Sequence, residues 1–577
     1  MWSSISCDSN VLSWIHDKVD ISNFFHTYSG TFQGVQYNDS VPPARLFRNS
    51  ANCEEFNDFI NKELINRLKS GAISYLGRVG QVPPPRVVSP ITIEPSKPRL
   101  CINLMYINCF MKDTPFKLDT LNDVPLVISR NAWITKLDDK SGYDHVFMTD
   151  NSKDFLGFQW GGHYFCCNTL PFGWKNSAYV YHTLNMTAMS FIRSRGINGL
   201  VYIDDRLIEE FKGPLIKTDT SFRRSDIAIR FVMTVLGSLG YFLNISKSIL
   251  IPCQHLLFLG MVIDTPTSSF FVTEKRKLKI AVVREFILSK KRVPLRTIQQ
   301  FVGLCISTVL ALPGAKLFTA ACNRAVASAE LNSCSVIEVD DNIRKEVQHW
   351  QFLDSWNEPF PWFQERHVTM TLSTDASNYK WGAVLHVDRE NVTFSDFWSP
   401  SEYGDNIMIK EAKALLNALK SVHSRIRNTR LCVNVDNQAV VEAWKNQYST
   451  NDMLNSILKE IYKMVMEVQC LLTLVYIPSE DNSADEPSRK LSKNDCKITR
   501  RVWYFIETHF GPHNVDMFSL DSNAMISMDG HTLKHFTLFP TPNSSGVDAF
   551  AQSYSKDDNC YAFPPFCLIP CSCKIHY

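Results

Sequence analysis

The stretch that decides the fold is residues 200–208, LVYIDDRLI. Apolar β-forming residues flank the acidic pair Asp204-Asp205, and this pattern predicts a tight hairpin with two carboxylates at its turn. The dipeptide alone is a weak signal, because it recurs at Asp138-Asp139, Asp340-Asp341 and Asp557-Asp558. In isolation, a surface turn whose aspartates satisfy backbone amides is about as good an interpretation.

A second predicted strand delivers another carboxylate. The strand-like run Trp133–Leu137 is followed directly by Asp138. Three uncompensated carboxylates in one place would repel each other, whereas Mg²⁺ accepts hard oxygen ligands. The two strand-borne sites therefore suggest a divalent-metal centre. In such a centre two ions about 3.5–4 Å apart activate an attacking oxygen and stabilise the leaving one.

Composition limits the class of protein. The chain has 577 residues, of which 45% are hydrophobic and 20% charged, which predicts a globular protein of three or four domains. The 60 Lys and Arg against 58 Asp and Glu give a net charge of +2, which neither requires nor excludes a nucleic-acid partner. We expect no membrane span and no signal peptide, and we expect the 17 cysteines to be reduced. These features predict an intracellular protein, in the cytoplasm or the nucleus.

Five motifs occur in the order found in reverse transcriptases, and the chain resembles that family over about residues 55–490. The motifs are KLDDKSGY (136–143), LPFGWKNS (170–177), YIDD (202–205), GYFLNISK (240–247) and FLG (258–260). Each motif is modest by itself, but the joint match in order is specific.

The resemblance implies the ligands of two Mg²⁺ or Mn²⁺ ions. Asp138, Asp204 and Asp205 would hold them, and Asp204 is the more certain ligand of the hairpin pair. Asp139 stands where the family usually has an apolar residue, so we place it outside the set of ligands.

The resemblance also implies contacts with the incoming nucleotide. Tyr143 would lie under the sugar and exclude a 2′-hydroxyl, and Gly173 would allow close approach of the backbone to template and nucleotide. Arg99 would clamp the triphosphate, because a guanidinium group fits phosphate oxygens. Lys97 would assist it or remain a solvated charge, and Lys247 would donate a proton to pyrophosphate or lie on the surface. An ordinary half-buried Tyr and a simple turn Gly are the alternatives at positions 143 and 173.

The turn Phe258-Leu259-Gly260 would position the primer terminus, although Phe258 and Leu259 would equally suit a plain hydrophobic core. The basic stretch Lys275–Arg296 follows; its nine Lys and Arg stand against Glu285 and the preceding Glu274, a balance of 9 − 2 = +7. We interpret it as a thumb whose cations follow the hybrid backbone. A solvated helical face is the alternative.

Four further acids follow in a second α/β segment. The strand-like run Val368–Thr374 ends at Asp375, Glu411 lies in a helical run, and Asp436 follows another strand-like run, with Asp485 after it. Singly, each would be a solvated charge. In this order they resemble the four carboxylates with which ribonuclease H holds two Mg²⁺ ions. Tyr476 stands where many relatives have His, which predicts slower product release or proton transfer with unimpaired metal binding.

We predict an α+β multidomain fold, with a right-hand polymerase of fingers, palm and thumb followed by an α/β ribonuclease H-like domain. The predicted segments are an N-terminal extension, fingers and palm, a mainly helical thumb and connection, the ribonuclease H-like domain, and a C-terminal tail. Their bounds are 1–54, 55–270, 271–360, 366–490 and 491–577.

The tail resembles that of DIRS-like retrotransposon polyproteins, which use a tyrosine recombinase. The stretches that carry the likeness are FGPH (510–513), VDMF (515–518), GVDAF (546–550) and YAFPPF (561–566). A zinc site at Cys567, Cys571, Cys573 and His576 is a weaker interpretation than free thiols, because the spacing fits no standard pattern.

The implied function is that of an RNA-directed DNA polymerase with ribonuclease H activity. It would act on an RNA template, a DNA primer, the RNA–DNA hybrid and dNTPs. A catalytically silent or host-co-opted nucleic-acid-binding relic is the alternative. An RNA-dependent RNA polymerase is disfavoured by Tyr143 and by the appended ribonuclease H motifs.

Overall fold

The computed structural model describes residues 1–6, 8–95, 98–212, 220–362, 368–387, 390–490 and 497–572. The chain forms two compact units. The first comprises Met1–Thr273 with Asn357–Phe363, and the second comprises Glu274–Trp356 with Gln364–Tyr577. Both units mix helices and strands, which confirms the predicted α+β class. No helix among the described residues is long and apolar enough to span a bilayer.

The helices of the first unit are α1 (Trp2–Ile5), α2 (Ser9–His16), α3 (Asn57–Ser70), α4 (Met105–Cys109), α5 (Val124–Val127), α6 (Asp150–Lys153), α7 (Ser177–Ser194) and α8 (Ser221–Ser238). Its strands are β1 (Tyr28–Phe32), β2 (Val35–Asp39), β3 (Arg45–Leu46), β4 (Ile73–Arg78), β5 (Val87–Ser89), β6 (Ile91–Ile93), β7 (Leu100–Ile102), β8 (Ile134–Asp138), β9 (Gly157–Trp160), β10 (His163–Cys167), β11 (Ile197–Tyr202), β12 (Asp205–Phe211), β13 (Ile249–Cys253), β14 (His255–Phe258), β15 (Met261–Asp264) and β16 (Ser269–Val272).

The strands of the second unit begin with β17 (Arg292–Pro294) and β18 (Val336–Glu338), and β19 (Phe360–Pro361) returns to the first unit. The remaining strands are β20 (Thr369–Ala376), β21 (Lys380–Val387), β22 (Glu390–Phe397), β23 (Arg430–Val435), β24 (Leu471–Tyr476), β25 (Val515–Asp516), β26 (Lys534–Thr537), β27 (Gly546–Val547) and β28 (Cys560–Tyr561). The helices of this unit are α9 (Glu274–Leu288), α10 (Leu295–Ile306), α11 (Ala320–Leu331), α12 (Asp341–His349), α13 (Ile407–Ser421), α14 (Gln438–Asn446), α15 (Asp452–Glu467), α16 (Asp485–Arg489), α17 (Arg500–Phe510) and α18 (Ile569–Ser572).

The sheet that matters for the first acidic cluster has the order β11-β12-β8-β13. The predicted hairpin of residues 200–208 is confirmed, because β11 and β12 pair antiparallel and Tyr202 lies opposite Asp205. Apolar side chains on both strands, such as Val201 and Ile208, are fully buried, which fixes the register. Helices α7 and α8 pack against β11 and β12.

The N-terminal residues belong to the core of the first unit. Val11, Trp14, Ile21 and Phe24 are buried in the same hydrophobic cluster as the strands and α7. The ring of Phe24 packs edge-on against Trp174, with 5.2 Å between centroids. The described residues of segment 1–54 therefore belong to this unit, whereas the sequence predicted an N-terminal extension.

A short strand lies at the boundary between the predicted segments 271–360 and 366–490. The segment Phe360–Pro361 forms β19 and pairs with β16 at the edge of the sheet β14-β15-β16-β19. An edge strand tolerates proline because the missing N–H need not serve a ladder.

The second acidic cluster lies on a mixed sheet of order β22-β21-β20-β23-β24. Strands β20, β23 and β24 run parallel, and β21 and β22 run antiparallel to their neighbours. Helix α13 packs on β20 and β21, and α16 packs on β20, β21 and β22. The strand predicted at Val368–Thr374 is confirmed as β20, with bounds shifted by one or two residues, and the strand predicted before Asp436 is confirmed as β23.

The tail forms a small sheet of short parallel strands in the order β27-β26-β25-β28. Buried polar contacts reinforce it, including a hydrogen bond of 2.7 Å between His535 Nε2 and Asp521 Oδ1. No such core was predicted from sequence, because strands of two to four residues leave no periodic signal. Cys567 and Cys571 are exposed free thiols, whereas Cys573 and His576 lie outside the described residues.

Candidate active sites

The pairing of β8 with β12 brings the first three acids together. Asp138 at the end of β8 lies opposite Asp205 at the start of β12. The backbone N–H of Asp139 donates a hydrogen bond of 2.8 Å to the carbonyl of Asp204. Asp138, Asp204 and Asp205 therefore lie within one small region at the end of two paired strands.

The turn that carries Asp204 has an unusual backbone. Ile203 has φ +51°, a left-handed conformation that β-branched residues rarely adopt. The side-chain amide of Asn185 on α7 donates a hydrogen bond of 2.8 Å to the carbonyl of Ile203. This contact from a buried helical residue supports the strained turn.

The electrostatics of Asp204 fit a cation site. Burial raises the pKa of Asp204 to about 6, and the nearby negative charges of Asp139 and Asp138 add to the effect. Its Oδ1 is buried and has no hydrogen-bond partner. An orphaned carboxylate oxygen beside a second acid is what a hard divalent ion would satisfy. The three carboxylates are hard oxygen donors of the kind that Mg²⁺ and Mn²⁺ bind, although they do not bring one oxygen each within 4.8 Å of the others.

Gly142 makes room for this carboxylate. A Cβ at Gly142 would overlap Asp204 Oδ1 and the hydroxyl of Tyr181. The sequence showed Gly142 only as part of a motif, because a close approach across the fold leaves no local signal. Lys136 was missed in the same way, and its Nζ lies 2.7 Å from Asp205 Oδ1.

Tyr143 and the 170–177 motif meet beside the first cluster. The rings of Tyr143 and Phe172 lie 4.7 Å apart, and burial raises the pKa of Tyr143 to about 12 with a further contribution from Asp204. Gly173 has φ +96°, and its carbonyl accepts a hydrogen bond of 2.8 Å from Asn108. The positive φ explains glycine at this position.

The predicted phosphate-binding residues lie on the surface. Arg99 is exposed just before β7, and Lys247 is exposed in a turn that follows Asn244. Within the described part of the chain, neither side chain has a hydrogen bond or ion pair to the three acids. Lys97 lies outside the described residues.

The predicted primer-positioning turn is a tight hairpin between β14 and β15. Phe258 lies opposite Met261, and Leu259 and Gly260 have φ +46° and +83°. Phe258 is buried, so its side chain also serves the core, as the alternative interpretation expected.

A second group of acids assembles on the mixed sheet. Thr374 on β20 lies beside Val435 on β23, so the next residues, Asp375 within β20 and Asp436 just after β23, lie side by side. Helix α13 supplies Glu411. One ligand oxygen from each of these three acids lies within 4.8 Å of the others. Among the described residues this is the one such group of three or more potential metal ligands.

Burial and mutual repulsion dominate the chemistry of this group. The pKa of Glu411 is raised to about 10, first by burial and then by the charges of Asp436 and Asp375. Its Oε1 accepts a hydrogen bond of 3.1 Å from the N–H of Ala376, and its buried Oε2 has no partner. Burial also raises the pKa of Asp375 to about 6. These oxygens fit divalent cations of the Mg²⁺ type.

Helix α16 and the segment before it complete the surroundings. Ser488 Oγ donates a hydrogen bond to Asp375, and Ser479 Oγ donates one of 2.7 Å to Asp436. Asp485 begins α16 and pairs with Arg489 at 2.7 Å, so it lies beside the group of three rather than within it. Its charge nevertheless contributes to the raised pKa of Asp375. Neither serine was identified from sequence.

Some of the cations in the basic stretch Lys275–Arg296 are buried in contacts within the protein. Lys277 and Arg284 on α9 are buried; Lys277 donates to the carbonyl of Trp356, and Arg284 pairs with Asp354 at 2.7 Å. Lys275 and Lys279 remain exposed. Three exposed apolar residues lie at helical spacing on the same helix, namely Leu278, Val282 and Phe286. The helix therefore presents a mixed apolar and cationic face.

The match to a known protein family lies within the first unit. Residues 101–263 match the family described as reverse transcriptase (RNA-dependent DNA polymerase). This segment contains all three acids of the first cluster, together with Tyr143, Gly173, Lys247 and the 258–260 turn, but neither Arg99 nor the second cluster. No curated protein matches the chain.

Among solved structures, the chain is similar to the foamy viral protease-reverse transcriptase. In its complex with dsDNA, the identity is 14% over 82% of this chain and 95% of that one, with a TM-score of 0.47. In its complex with an RNA/DNA hybrid, the identity is 15% over 80% of this chain and 58% of that one, with a TM-score of 0.48.

Proposed function

We propose that the chain is an RNA-directed DNA polymerase that copies retroelement RNA into DNA and degrades the RNA strand of the hybrid. The observation that carries the proposal is the pairing of β8 with β12, which places Asp138 opposite Asp205 and beside Asp204 within the segment that matches reverse transcriptases. We further propose that each acidic cluster holds two Mg²⁺ or Mn²⁺ ions.

In the first cluster the two paired strands β8 and β12 bring the three acids to one end of the sheet. Asp138, Asp204 and Asp205 would hold the ions, which when bound lower the pKa of an attacking hydroxyl and offset charge on the phosphates. Asp205 already has Lys136 as a counter-charge, so Asp138 and Asp204 are left as the stronger ligands.

Residues around the first cluster would select and bind the nucleotide substrate. Tyr143 is buried against Phe172 and next to Asp204, where a rigid ring under the sugar would clash with a 2′-hydroxyl. Arg99 and Lys97 would bind the triphosphate. Lys247 would donate a proton to pyrophosphate.

The remaining contacts would align the nucleic acid. Gly173 would lie against template and nucleotide, and the Phe258-Leu259-Gly260 turn would position the primer end. The exposed face of α9, with Lys275, Lys279 and their apolar neighbours, suits contact with a hybrid backbone through both charge and sugar surface.

In the second unit, Asp375, Glu411, Asp436 and Asp485 would form a ribonuclease H site. The mutual approach of the first three supports this role. Asp485, half-buried at the start of α16, would act as an outer ligand. We assign the chain to DIRS-like retroelements on the motifs of its tail, and we propose an intracellular location.

Primer extension tests the proposal directly. The full chain should extend a DNA primer on an RNA template with dNTPs and Mg²⁺ or Mn²⁺, and it should cleave the template in the hybrid. Asp204→Asn should abolish extension and spare cleavage, whereas Asp436→Asn should do the reverse. Loss of both activities in either variant would contradict two independent sites, and a wild-type chain inactive in both assays would favour a silent nucleic-acid-binding relic.

A further inference from the structure

A buried ion pair joins the two segments that carry the first acidic cluster. Asp139 directly follows Asp138, and Arg206 directly follows Asp205. The guanidinium of Arg206 donates a hydrogen bond through Nη1 to Asp139 Oδ1, and both side chains are 0% exposed. The pair therefore lies immediately behind the carboxylates proposed to bind metal.

The pair is anchored to helix α7. The hydroxyl of Tyr181 donates a hydrogen bond to Asp139 Oδ2, and Arg206 Nη2 donates one of 2.6 Å to Asn185 Oδ1. Asn185 in turn donates to the carbonyl of Ile203 at 2.8 Å. Tyr181 and Asn185 lie four residues apart, so they face the pair from successive turns of the helix.

Stability alone is a poor reason for this arrangement. Removing two charges from water costs several kcal/mol per ion in general, and apolar residues of similar volume often replace a buried ion pair at no loss of stability. Aromatic side chains already surround the pair, and the guanidinium carbon lies 4.8 Å from the centre of the Tyr241 ring. An apolar pair would suit these surroundings, but it would lack directional contacts to the β8 end and the turn.

We propose that Asp139 and Arg206 are positioning residues for the metal-binding acids. Through Asp139 the pair fixes the end of β8, and through Arg206 and Asn185 it fixes the turn at Ile203. The spacing between Asp138 and Asp204 is thereby set before any ion binds. This inference rests on the proposed polymerase function of the same site, and it adds residues that touch neither ion nor substrate.

The test uses the full chain with Glu411→Gln and Asp436→Asn in the second unit, so that Mn²⁺ binding reports on the first cluster. In this background the pair is replaced by Asp139→Leu with Arg206→Leu. Three measurements follow: Mn²⁺ affinity by electron paramagnetic resonance, thermal unfolding in EDTA, and kcat and KM for dNTP in primer extension. Arg284→Leu is the matched control, because it removes the ion pair of another buried arginine, with Asp354 at 2.7 Å, on α9 of the second unit.

We expect the double variant to unfold near the wild-type temperature, to bind Mn²⁺ at least tenfold more weakly and to lose kcat by at least 100-fold with a smaller change in KM. The control should unfold earlier with unchanged Mn²⁺ affinity. Wild-type Mn²⁺ affinity and kcat in the folded double variant would overturn the inference.

A second variant covers the case in which the double variant does not fold. Asn185→Ala keeps the ion pair but removes its link to Ile203, so Mn²⁺ binding should weaken at least threefold, and unchanged binding would overturn the inference. A wild-type chain that extends no primer would refute the polymerase proposal alone. The Mn²⁺ affinities would still show whether the Asp139–Arg206 pair positions the metal-binding acids.

Discussion

Lys136 and Asp205 form an ion pair across the β8–β12 ladder, with 2.7 Å between Nζ and Oδ1. Lys136 lies opposite Leu207 in the register, so it is the diagonal neighbour of Asp205 on one face of the sheet. The chain thus carries its own counter-charge beside the proposed metal ligands.

Replacing this counter-charge should change how the site responds to metal. In Lys136→Met, Asp205 loses its ion-pair partner, so the metal-free chain should lose about 1 kcal/mol of stability. Added Mg²⁺ should then raise the unfolding temperature more than in the wild type. Lys153→Met, which removes an exposed pair with Asp150, is the control and should leave the Mg²⁺-induced shift unchanged. A smaller shift in Lys136→Met would contradict the role of Lys136 as a competitor of the ions.

Gly142 should tolerate no side chain. In Gly142→Ala the new Cβ would overlap Asp204 Oδ1 and the Tyr181 hydroxyl, so the turn must move. We expect a loss of about 1–3 kcal/mol in the free energy of unfolding and at least a 100-fold loss of primer extension, with template cleavage retained. Gly237→Ala on α8 is the control, since a Cβ there meets nothing within 4 Å. Extension at the wild-type rate by Gly142→Ala would show that Asp204 need not lie where it does.

Tyr143 should select dNTPs by the bulk of its ring. Tyr143→Ala should raise incorporation of NTPs relative to dNTPs by at least tenfold, whereas Tyr143→Phe should leave the ratio near that of the wild type. The measurement is kcat/KM for a matched dNTP and NTP pair. Equal discrimination by Tyr143→Ala would remove Tyr143 from the nucleotide site.

Metal binding to the second cluster should release protons. In the metal-free chain the pKa of Glu411 is about 10 against an ordinary value of 4.5, so the folded chain holds a proton there at pH 8 that the unfolded chain has lost. The stability of the metal-free chain therefore falls as the pH rises from about 4.5 to about 10. Cations bind the ionised form, so their affinity should increase with pH over this range.

Calorimetry in two buffers with different ionisation enthalpies measures this release. With Asp204→Asn in the first unit to weaken its site, Mg²⁺ binding at pH 8 should release about one proton. Glu411→Gln should abolish the release and weaken binding. Equal heats in both buffers for the parent chain would contradict a protonated Glu411.

Local sequence patterns predicted both places where acids gather. The alternation around Asp204-Asp205 and the strand before Asp138 are local signals, and so are the strands that end at Asp375 and Asp436. Contacts that depend on tertiary packing have no comparable local signal in the sequence. The partner of Asp139 lies 67 positions away at Arg206, and that of Asp375 lies 113 positions away at Ser488.

The basic stretch illustrates the same limit. Sequence charge alone could not distinguish the buried Arg284, which pairs with Asp354, from the exposed Lys279. The fold of the tail could not be predicted from sequence for another reason. Its parallel strands span only two to four residues, and its core depends on polar contacts such as that between His535 and Asp521.

Gly382 should be required for the close packing of α16 beside the second cluster. A Cβ at Gly382 on β21 would lie 2.5 Å from the backbone N of Ser488 and 2.9 Å from the carbonyl of Ala484. In Gly382→Ala, α16 must therefore move away from the sheet, taking with it Asp485 and the Ser488 hydroxyl that binds Asp375. We expect template cleavage to fall at least tenfold while primer extension stays unchanged.

Two further variants identify which part of α16 matters. Ser488→Ala removes only the hydrogen bond to Asp375, and Asp485→Asn removes only the outer carboxylate. If both contribute, each should lower cleavage less than Gly382→Ala does. Gly404→Ala is the control within the second unit, because a Cβ there has no neighbour within 4 Å. Full cleavage by Gly382→Ala would mean that the site works without α16 in its present place, and Asp485 would then have no role as a ligand.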